Sequence, residues 1–533
     1  MIRLERLDLT IGQTPILRQV NLDMAPGKVT GLVGESGSGK SMTALAIMQL
    51  LPRESRVGGR IILDDSNILD LSERDMCAIR GNRIGMIFQE PMTALNPVKT
   101  IGDQVMETLL IHTNHTPAEA RAIARDKLAR VGLPEEKFPL SRFPHELSGG
   151  QRQRVCIAMA IALSPELLIA DEPTTALDVT TQAQILDLLK GLVEEEGMSL
   201  LLITHDLAVV AGMADHVAVM KQGEIVEQGR TEQLFRAMRH PYTRALFAAS
   251  SHAPARRPTR TDAPLLTVRD AQRAYALPRT RLLGPAPRFR AVRGVSFTLT
   301  RGESLGLVGE SGCGKSTLAR AILGLEPLDG GEIRAFGEPV GPGFPQPLKA
   351  GIQVVFQDPY GSFNPRWKVA RLVAEPLHLL GARPADWRDR VARALADVGI
   401  AADGMERYIH EFSGGQRQRI AIARALILRP EIIVLDEAVS ALDVSVRAQV
   451  LDLLAGLQAE YGLAYLFISH DLSVVRAITD RVLVMRAGEI VEEGETEAVF
   501  TRPRHPYTQE LINAAPVIPA EWKVQEHGQA PVV

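Results

Sequence analysis

Gly34-Glu35-Ser36-Gly37-Ser38-Gly39-Lys40-Ser41 returns 275 positions later as Gly309-Glu310-Ser311-Gly312-Cys313-Gly314-Lys315-Ser316. Each copy follows an apolar run, Val29 to Val33 or Leu305 to Val308, and in the first copy Met42 to Leu50 supplies helix formers. Strand, glycine loop and helix in that order make a phosphate-binding loop. Gly34, Gly37 and Gly39, like Gly309, Gly312 and Gly314, let backbone N–H groups turn toward phosphate oxygens at the positive end of the next helix. Lys40 and Lys315 can reach the β- and γ-phosphates, and the hydroxyls of Ser41 and Ser316 suit Mg²⁺. By residue frequencies the bare pattern falls in roughly 2% of chains this size, so two in the same context make chance negligible.

Outward from these loops the chain repeats itself. LSGGQRQR from Leu147 recurs as FSGGQRQR from Phe412, IADEPTTALD from Ile169 as VLDEAVSALD from Val434, ITHDL from Ile203 as ISHDL from Ile468, and HPYT from His240 as HPYT from His505. These later motifs are 265 positions apart, so one ten-residue difference lies between the loop and the signature. A period this long is a domain repeat, far above the length of a solenoid unit. At roughly 100–200 residues per domain, 533 residues cannot share one core. We place one domain at 1–249, an exposed Ala-, Pro- and Arg-rich linker at 250–263, and the second domain at 264–533.

Apolar residues at 45% against 23% charged exclude whole-chain disorder. Sixty basic and 63 acidic side chains leave a formal charge of -3, which gives no global electrostatic reason to bind nucleic acid or anionic lipid. Three cysteines with no CxxC pair support neither a disulfide framework nor a structural zinc site, and fit a reducing cytoplasm. The opening MIRLERLDLT lacks the apolar core of a secretion signal. The uncharged run Val155 to Pro165 is far short of the roughly 20 residues of a membrane-spanning helix.

Leu167 to Ala170 and Ile432 to Leu435 read as strands buried on both faces, each ending in Asp-Glu. At the carboxyl end of such a strand, Asp171 or Asp436 can hold Mg²⁺ through water while Glu172 or Glu437 polarises an attacking water; helix-capping carboxylates are the plainer alternative. His205 and His470 follow further apolar runs and face the same phosphate end, where the repeat favours a γ-phosphate role over a structural one. SGGQ, at Ser148-Gly149-Gly150-Gln151 and Ser413-Gly414-Gly415-Gln416, reads as a second anion site, a hydroxyl and two glycines ahead of a helix. The RQR that follows reads as a solvated or ion-paired helix face in preference to a nucleic-acid patch.

Together these motifs resemble the nucleotide-binding domains of ABC ATPases, over nearly the whole of both halves. The resemblance implies an α/β fold of tandem P-loop NTPase domains, each with a RecA-like core, an antiparallel β subdomain and a helical signature subdomain. It adds Ser36, Met42, Ser311 and Thr317 to the ATP-binding loops, Gln89 and Gln357 as Q-loop residues touching Mg²⁺, and Asp178 and Asp443 as D-loop residues. It also implies head-to-tail pairing, in which Lys40 shares a nucleotide with Ser413, and Lys315 with Ser148. The helical subdomain has support from the residues themselves: Thr116-Pro117-Ala118-Glu119 is a capping box, followed by Ala124, Leu128 and Val131, and the second copy offers Val391, Leu395 and Val398.

ESGSGKS, FQEP with LNP, and HPYT are most similar to the oligopeptide/dipeptide/nickel importer branch, and the fused pair resembles the single-chain ATPases of glutathione and microcin importers. That likeness implies an ATP-hydrolysing subunit with ATP and Mg²⁺, at the cytoplasmic face of a bacterial inner membrane, working with two permease subunits and an extracytoplasmic solute-binding protein. Peptides are the expected cargo and nickel or a metal chelate the runner-up. A soluble twin-ABC protein acting on ribosomes or DNA is the reading from another class, and neither a long charged interdomain segment nor zinc cysteines support it; no nucleic acid partner is expected.

The departures from the branch are specific. No cysteine follows either HPYT, so no iron–sulfur cluster is expected. Ala438-Val439 stands where the first half has Pro173-Thr174, with Glu437 kept. Tyr275 fits the adenine-stacking position, while the first half offers Ile11, which has no π face. Cys313 in the second loop reads as a small filler in preference to a redox switch.

Overall fold

The computed structural model describes residues 2–175, 177–256, 261–277, 287–341, 344–358, 361–381, 383–440 and 442–522. The chain forms two compact units: Met1–Leu177 with Thr181–Ser251 and Pro516–Val533, and Asp178–Thr180 with His252–Ala515. The units thus depart from the sequence boundaries in that the C-terminal segment groups with the first, and residues 257–260 of the linker lie outside the described residues.

The first unit holds two sheets. Four antiparallel strands run in the order Thr14–Met24, Ile2–Ile11, Ser55–Leu63, Ser66–Asn67. Six more run Glu224–Arg230, His216–Lys221, Val29–Val33, Ser199–Thr204, Leu167–Asp171, Ile84–Ile87, parallel except for the first pair. Val29–Val33, Leu167–Asp171 and Ser199–Thr204 are buried throughout: Leu32, Leu167, Ile169, Leu201 and Ile203 share a core with Leu4, Leu9 and Leu22 of the antiparallel sheet, and Leu168, Ala170, Leu200 and Leu202 one with helical side chains. The carboxylate of Asp215 accepts the Val29 amide at 3.0 Å and fixes the start of the loop-bearing strand. The second unit repeats both sheets, with Ser304–Val308 between Ala464–Ile468 and Arg481–Arg486, and Asp480 accepts the Ser304 amide at 2.8 Å. The expected core and antiparallel subdomain are therefore present in each half.

Register places the strand ends level. Asp171 lies opposite Ile203, Val33 opposite Thr204 and Ile87 opposite Ala170; in the second unit Asp436 and Leu307 both lie opposite Ile468, and Val355 opposite Leu435. The residues that follow these ends are the site candidates.

The helical subdomain forms as its caps dictate. Thr116 accepts the Glu119 amide while Glu119 reaches back to the Thr116 amide at 2.7 Å, and helix Pro117–Arg130 follows with Ala124, Leu128 and Val131 buried. Val391, Leu395 and Val398 are likewise buried around helix Trp387–Asp397. Both helices end against an arginine of the RQR run: Arg154 donates to the Val131 carbonyl at 2.6 Å and Arg419 to the Val398 carbonyl at 3.1 Å. These arginines satisfy helix-end carbonyls, so the solvated or ion-paired face expected from sequence is corrected.

The unit boundary at the C-terminus has a physical basis. Trp522 lies 6.0 Å from Phe235, centroid to centroid, and Arg236 donates to the Glu521 carbonyl at 3.0 Å, so the turn Ala520–Trp522 packs on helix Thr231–Ala237 of the same unit.

Replacing Thr116 by Ala removes one half of the capping box while leaving the buried face untouched, and is expected to destabilise the first unit by about 1 kcal/mol, read as a lowered denaturant midpoint of its unfolding transition.

Candidate functional site

Each glycine loop links its strand to a helix that begins at the lysine, Lys40–Ile47 or Lys315–Ile322, with Gly39 or Gly314 as a left-handed N-cap. The helix therefore starts two residues ahead of the Met42 to Leu50 read from composition and ends at Ile47. Two further glycines are needed for different reasons. A Cβ on Gly34 would meet the Met220 carbonyl oxygen at 2.2 Å, and one on Gly309 the Met485 oxygen at 2.1 Å, so these positions are closed by backbone. Gly37 and Gly312, at φ 76° and 79°, have nothing within 4 Å of that direction. A left-handed turn open in front is the shape of an anion cradle. The ammonium of buried Lys40 sits on the carbonyls of Gly34 and Glu35 at 2.7 and 2.9 Å, and Lys315 on those of Gly309 and Glu310 at 2.6 and 2.8 Å.

Beside the lysine, the Ser41 hydroxyl donates to Asp171 at 3.2 Å. Burial raises the Asp171 carboxyl, only partly opposed by Ser41, and burial with neighbouring Glu437 raises Asp436. The next residue turns away from the strand: Glu172 and Glu437 have φ of 48° and 50°, left-handed for a non-glycine in both halves, each with its N–H held by the carbonyl of Ile203 or Ile468. Such a backbone costs of order 1 kcal/mol and persists where the surroundings enforce it.

That turn aims the glutamate at its partners. Gln89 donates to one Glu172 carboxylate oxygen at 2.9 Å, Thr175 to the same oxygen at 2.9 Å, and His205 Nδ1 lies 3.2 Å from the other. Burial pushes Glu172 up, but His205, Thr175 and Gln89 outweigh it and hold the carboxyl at about 2. In the second unit Gln357 donates to Glu437 at 2.7 Å and His470 Nδ1 lies at 3.3 Å. Burial again opposes ionisation, and His470 with the charge of Lys315 lowers Glu437. Ser440, the counterpart of Thr175, donates to the Glu437 main-chain carbonyl instead, so the two carboxylates are held differently. Asp206 and Asp471, next to the histidines, cap helices Leu207–Met213 and Leu472–Ile478.

The signature segments are built as reciprocal caps. Ser148 accepts the Gln151 amide at 3.3 Å and Gln151 accepts the Ser148 amide at 3.0 Å; Ser413 and Gln416 do the same at 3.4 and 3.0 Å. The glycines are the first two residues of helices Gly149–Ala160 and Gly414–Leu426, a correction to their expected place ahead of the helix. Gly150 and Gly415 are packing positions, since a Cβ there would lie 2.4 Å from Thr181 and 2.3 Å from Val446.

Tyr275 lies with its hydroxyl against Glu326 and, at 3.3 Å, the Thr317 hydroxyl, while the guanidinium of Arg273 stands over its ring at 5.0 Å. Strand bulges at left-handed Arg6 and Asp270 put Ile11 at the matching place in the first half. Burial raises the Cys313 thiol, which suits the filler. Sequence reasoning missed Thr175, which needs the left-handed glutamate to be seen, and the tyrosines of HPYT, whose verbatim repeat was the available signal.

The model for "ABC transporter" matches residues 17–175 and 292–440. This chain belongs to that family. The model for "Oligopeptide/dipeptide transporter, C-terminal region" matches 226–271 and 491–532, which takes in both HPYT tails. The chain is 48% identical to the glutathione import ATP-binding protein GsiA of Escherichia coli (strain K12), over 94% of this chain and 86% of that protein. It is 50% identical to the peptidoglycan transport ATP-binding protein YejF of Agrobacterium fabrum, over 93% and 92%. The dimeric cassette MJ0796 aligns with 32% identity over 43% of this chain and 99% of its own, at a TM-score of 0.40. As a family member the chain is an ATP-using ABC-type ATPase that energises transport, and membrane permeases are the partners its relatives imply. No helix among the described residues is long and apolar enough to cross a membrane.

A carboxyl held below its ordinary value near 4.5 adds stability above that pH and loses it as pH falls toward about 2. Thr175→Val removes one donor to Glu172, so the acid-unfolding midpoint of the first unit is expected to move to higher pH, followed by circular dichroism.

Proposed function

We propose that the chain hydrolyses ATP to drive import of a peptide-type solute across a bacterial inner membrane, docked at its cytoplasmic face on two permease subunits that receive cargo from an extracytoplasmic binding protein. The observation that carries the catalytic part is made twice: at level strand ends, a Gln and a His converge on one glutamate whose ionised form they favour. The oligopeptide-type tails of both halves, on a chain akin to ATP-binding proteins named for glutathione import and peptidoglycan transport, support the cargo class over metal chelates and over ribosome- or DNA-directed action.

In this reading Gly34, Ser36, Gly37, Gly39, Lys40, Ser41 and Met42 hold one ATP and Gly309, Ser311, Gly312, Gly314, Lys315, Ser316 and Thr317 the other. Lys40 and Lys315 exchange their loop carbonyls for β- and γ-phosphate oxygens. Glu172 and Glu437 take a proton from the attacking water as its oxygen bonds to the γ-phosphorus and the bond to the bridging oxygen breaks, while His205 and His470 orient that water and the phosphate. The hydroxyl–carboxylate pair Ser41–Asp171, 3.2 Å apart, is all-oxygen and fits Mg²⁺. Ser41, Gln89 and Asp171, and Ser316, Gln357 and Asp436, would hold the ion, which supplies charge neutralisation on the phosphates. Head-to-tail sharing, with Ser413 completing the Lys40 site and Ser148 the Lys315 site and Asp178 and Asp443 between them, is supported by the exposed serines at the start of two signature helices. The cysteine-free tails favour no iron–sulfur cluster.

Glu172→Gln together with Glu437→Gln is expected to cut ATP turnover by at least about 100-fold while equilibrium ATP binding persists; undiminished phosphate release from the double variant would refute the assigned base. In that background, with Cys77 replaced by Ser, cysteines at Ser36 and Ser413 are expected to be bridged by a short thiol crosslinker only when ATP is present. Equal bridging with and without ATP, or none in either case, counts against the shared sites.

A further inference from the structure

We infer that Tyr242 and Tyr507, the tyrosines of the two HPYT segments, are positioning residues for the phosphate-binding lysines, an inference that rests on the ATP-hydrolysing role. Each motif is assembled so that its tyrosine points at a glycine loop. His240 caps helix Pro241–Ser250 by accepting the Tyr242 amide at 3.2 Å, and Pro241 starts the helix at the position where proline lacks nothing. Glu227 clamps the turn before it, accepting the Arg239 and His240 amides at 2.8 and 3.1 Å. In the second unit His505 accepts the Tyr507 amide at 3.1 Å and Glu492 accepts those of Arg504 and His505 at 2.8 and 3.0 Å. The tyrosine side chain that emerges is fixed by a cation on its ring, Lys221 at 4.8 Å from Tyr242 and Arg486 at 4.7 Å from Tyr507.

The hydroxyl then meets one particular peptide group. The Glu35 N–H donates to Tyr242 at 3.2 Å, and the Glu310 N–H to Tyr507 at 3.1 Å. The carbonyl of that same peptide group belongs to Gly34, or to Gly309, and accepts the lysine ammonium at 2.7 or 2.6 Å. One peptide plane is thus held from both sides, by the tyrosine through its N–H and by Lys40 or Lys315 through its C=O. The plane joins a glycine whose backbone reaches conformations closed to other residues, and these two bonds restrain its rotation from opposite sides. When the lysine departs for phosphate oxygens, the tyrosine is the bond that stays, keeping the carbonyl in place for the ammonium to leave and return to and the following N–H groups aimed at the anion.

A preorganising contact present before and after binding acts on ground state and transition state alike, so its loss raises KM and spares kcat. Tyr242→Phe with Tyr507→Phe keeps both rings and removes only the hydroxyls. The pair is expected to raise KM for ATP, and the Kd of a fluorescent ATP analogue, by roughly three- to tenfold, the range of one neutral hydrogen bond, with kcat within about twofold. Tyr242→Leu with Tyr507→Leu, which also removes the ring contacts, calibrates a purely packing role through the thermal midpoint. Unchanged KM and Kd in the phenylalanine pair overturn the inference. So does a weakened affinity that comes with the same fall in thermal midpoint as the leucine pair. ATP turnover by the parent chain reports separately on the hydrolytic role, so its absence and a failure of the tyrosine inference are told apart.

Discussion

Two parallel pairings govern each site: the strand that ends in Asp-Glu against the strand that ends before His, and the Q-loop strand against the first of these. Because they end level, three short loops leave the sheet together and Gln, Glu and His meet within hydrogen-bond distance. A slip of one residue would move the glutamate by about 3.3 Å and turn it to the other face. The left-handed backbone at Glu172 and Glu437 is what the chain tolerates to aim a carboxylate across those ends. Burial of every residue of the central strands holds them in the interior of the sheet.

Around this shared frame the two halves have drifted. Glu172 receives a hydroxyl that Glu437 does not, because Ser440 turns to the main chain. The second half has an aromatic ring where the first has Ile11. The segments after the Q-loops are anchored by unlike chemistry: Gln104, buried, exchanges hydrogen bonds with Asn96, whereas Arg424, buried, donates to the Ser362 carbonyl and covers the Phe363 ring. What both halves retain is the geometry that handles phosphate.

Much of this was legible in the residues. The doubled glycine loop and the apolar runs ending in Asp-Glu fixed the sheet, its buried strands and the level at which candidates would gather, because periodicity and loop chemistry are local. The capping box at Thr116 was readable for the same reason. The misreadings concern partners distant in sequence: the RQR arginines find helix-end carbonyls, and the second signature glycine answers to a neighbouring helix. Nothing in a linear pattern distinguishes a glycine needed for a turn from one needed for close approach.

The strip from Pro516 to Trp522 belongs to the unit that begins the polypeptide, with Trp522 against Phe235 and the Glu521 carbonyl on Arg236. The duplicated halves are therefore not interchangeable beads on a string. Fission of the gene near Ser251 would send this strip away with the other product, leaving the Phe235 ring against Phe247 but stripped of Trp522, so the fused order of the two copies contributes packing as well as stoichiometry.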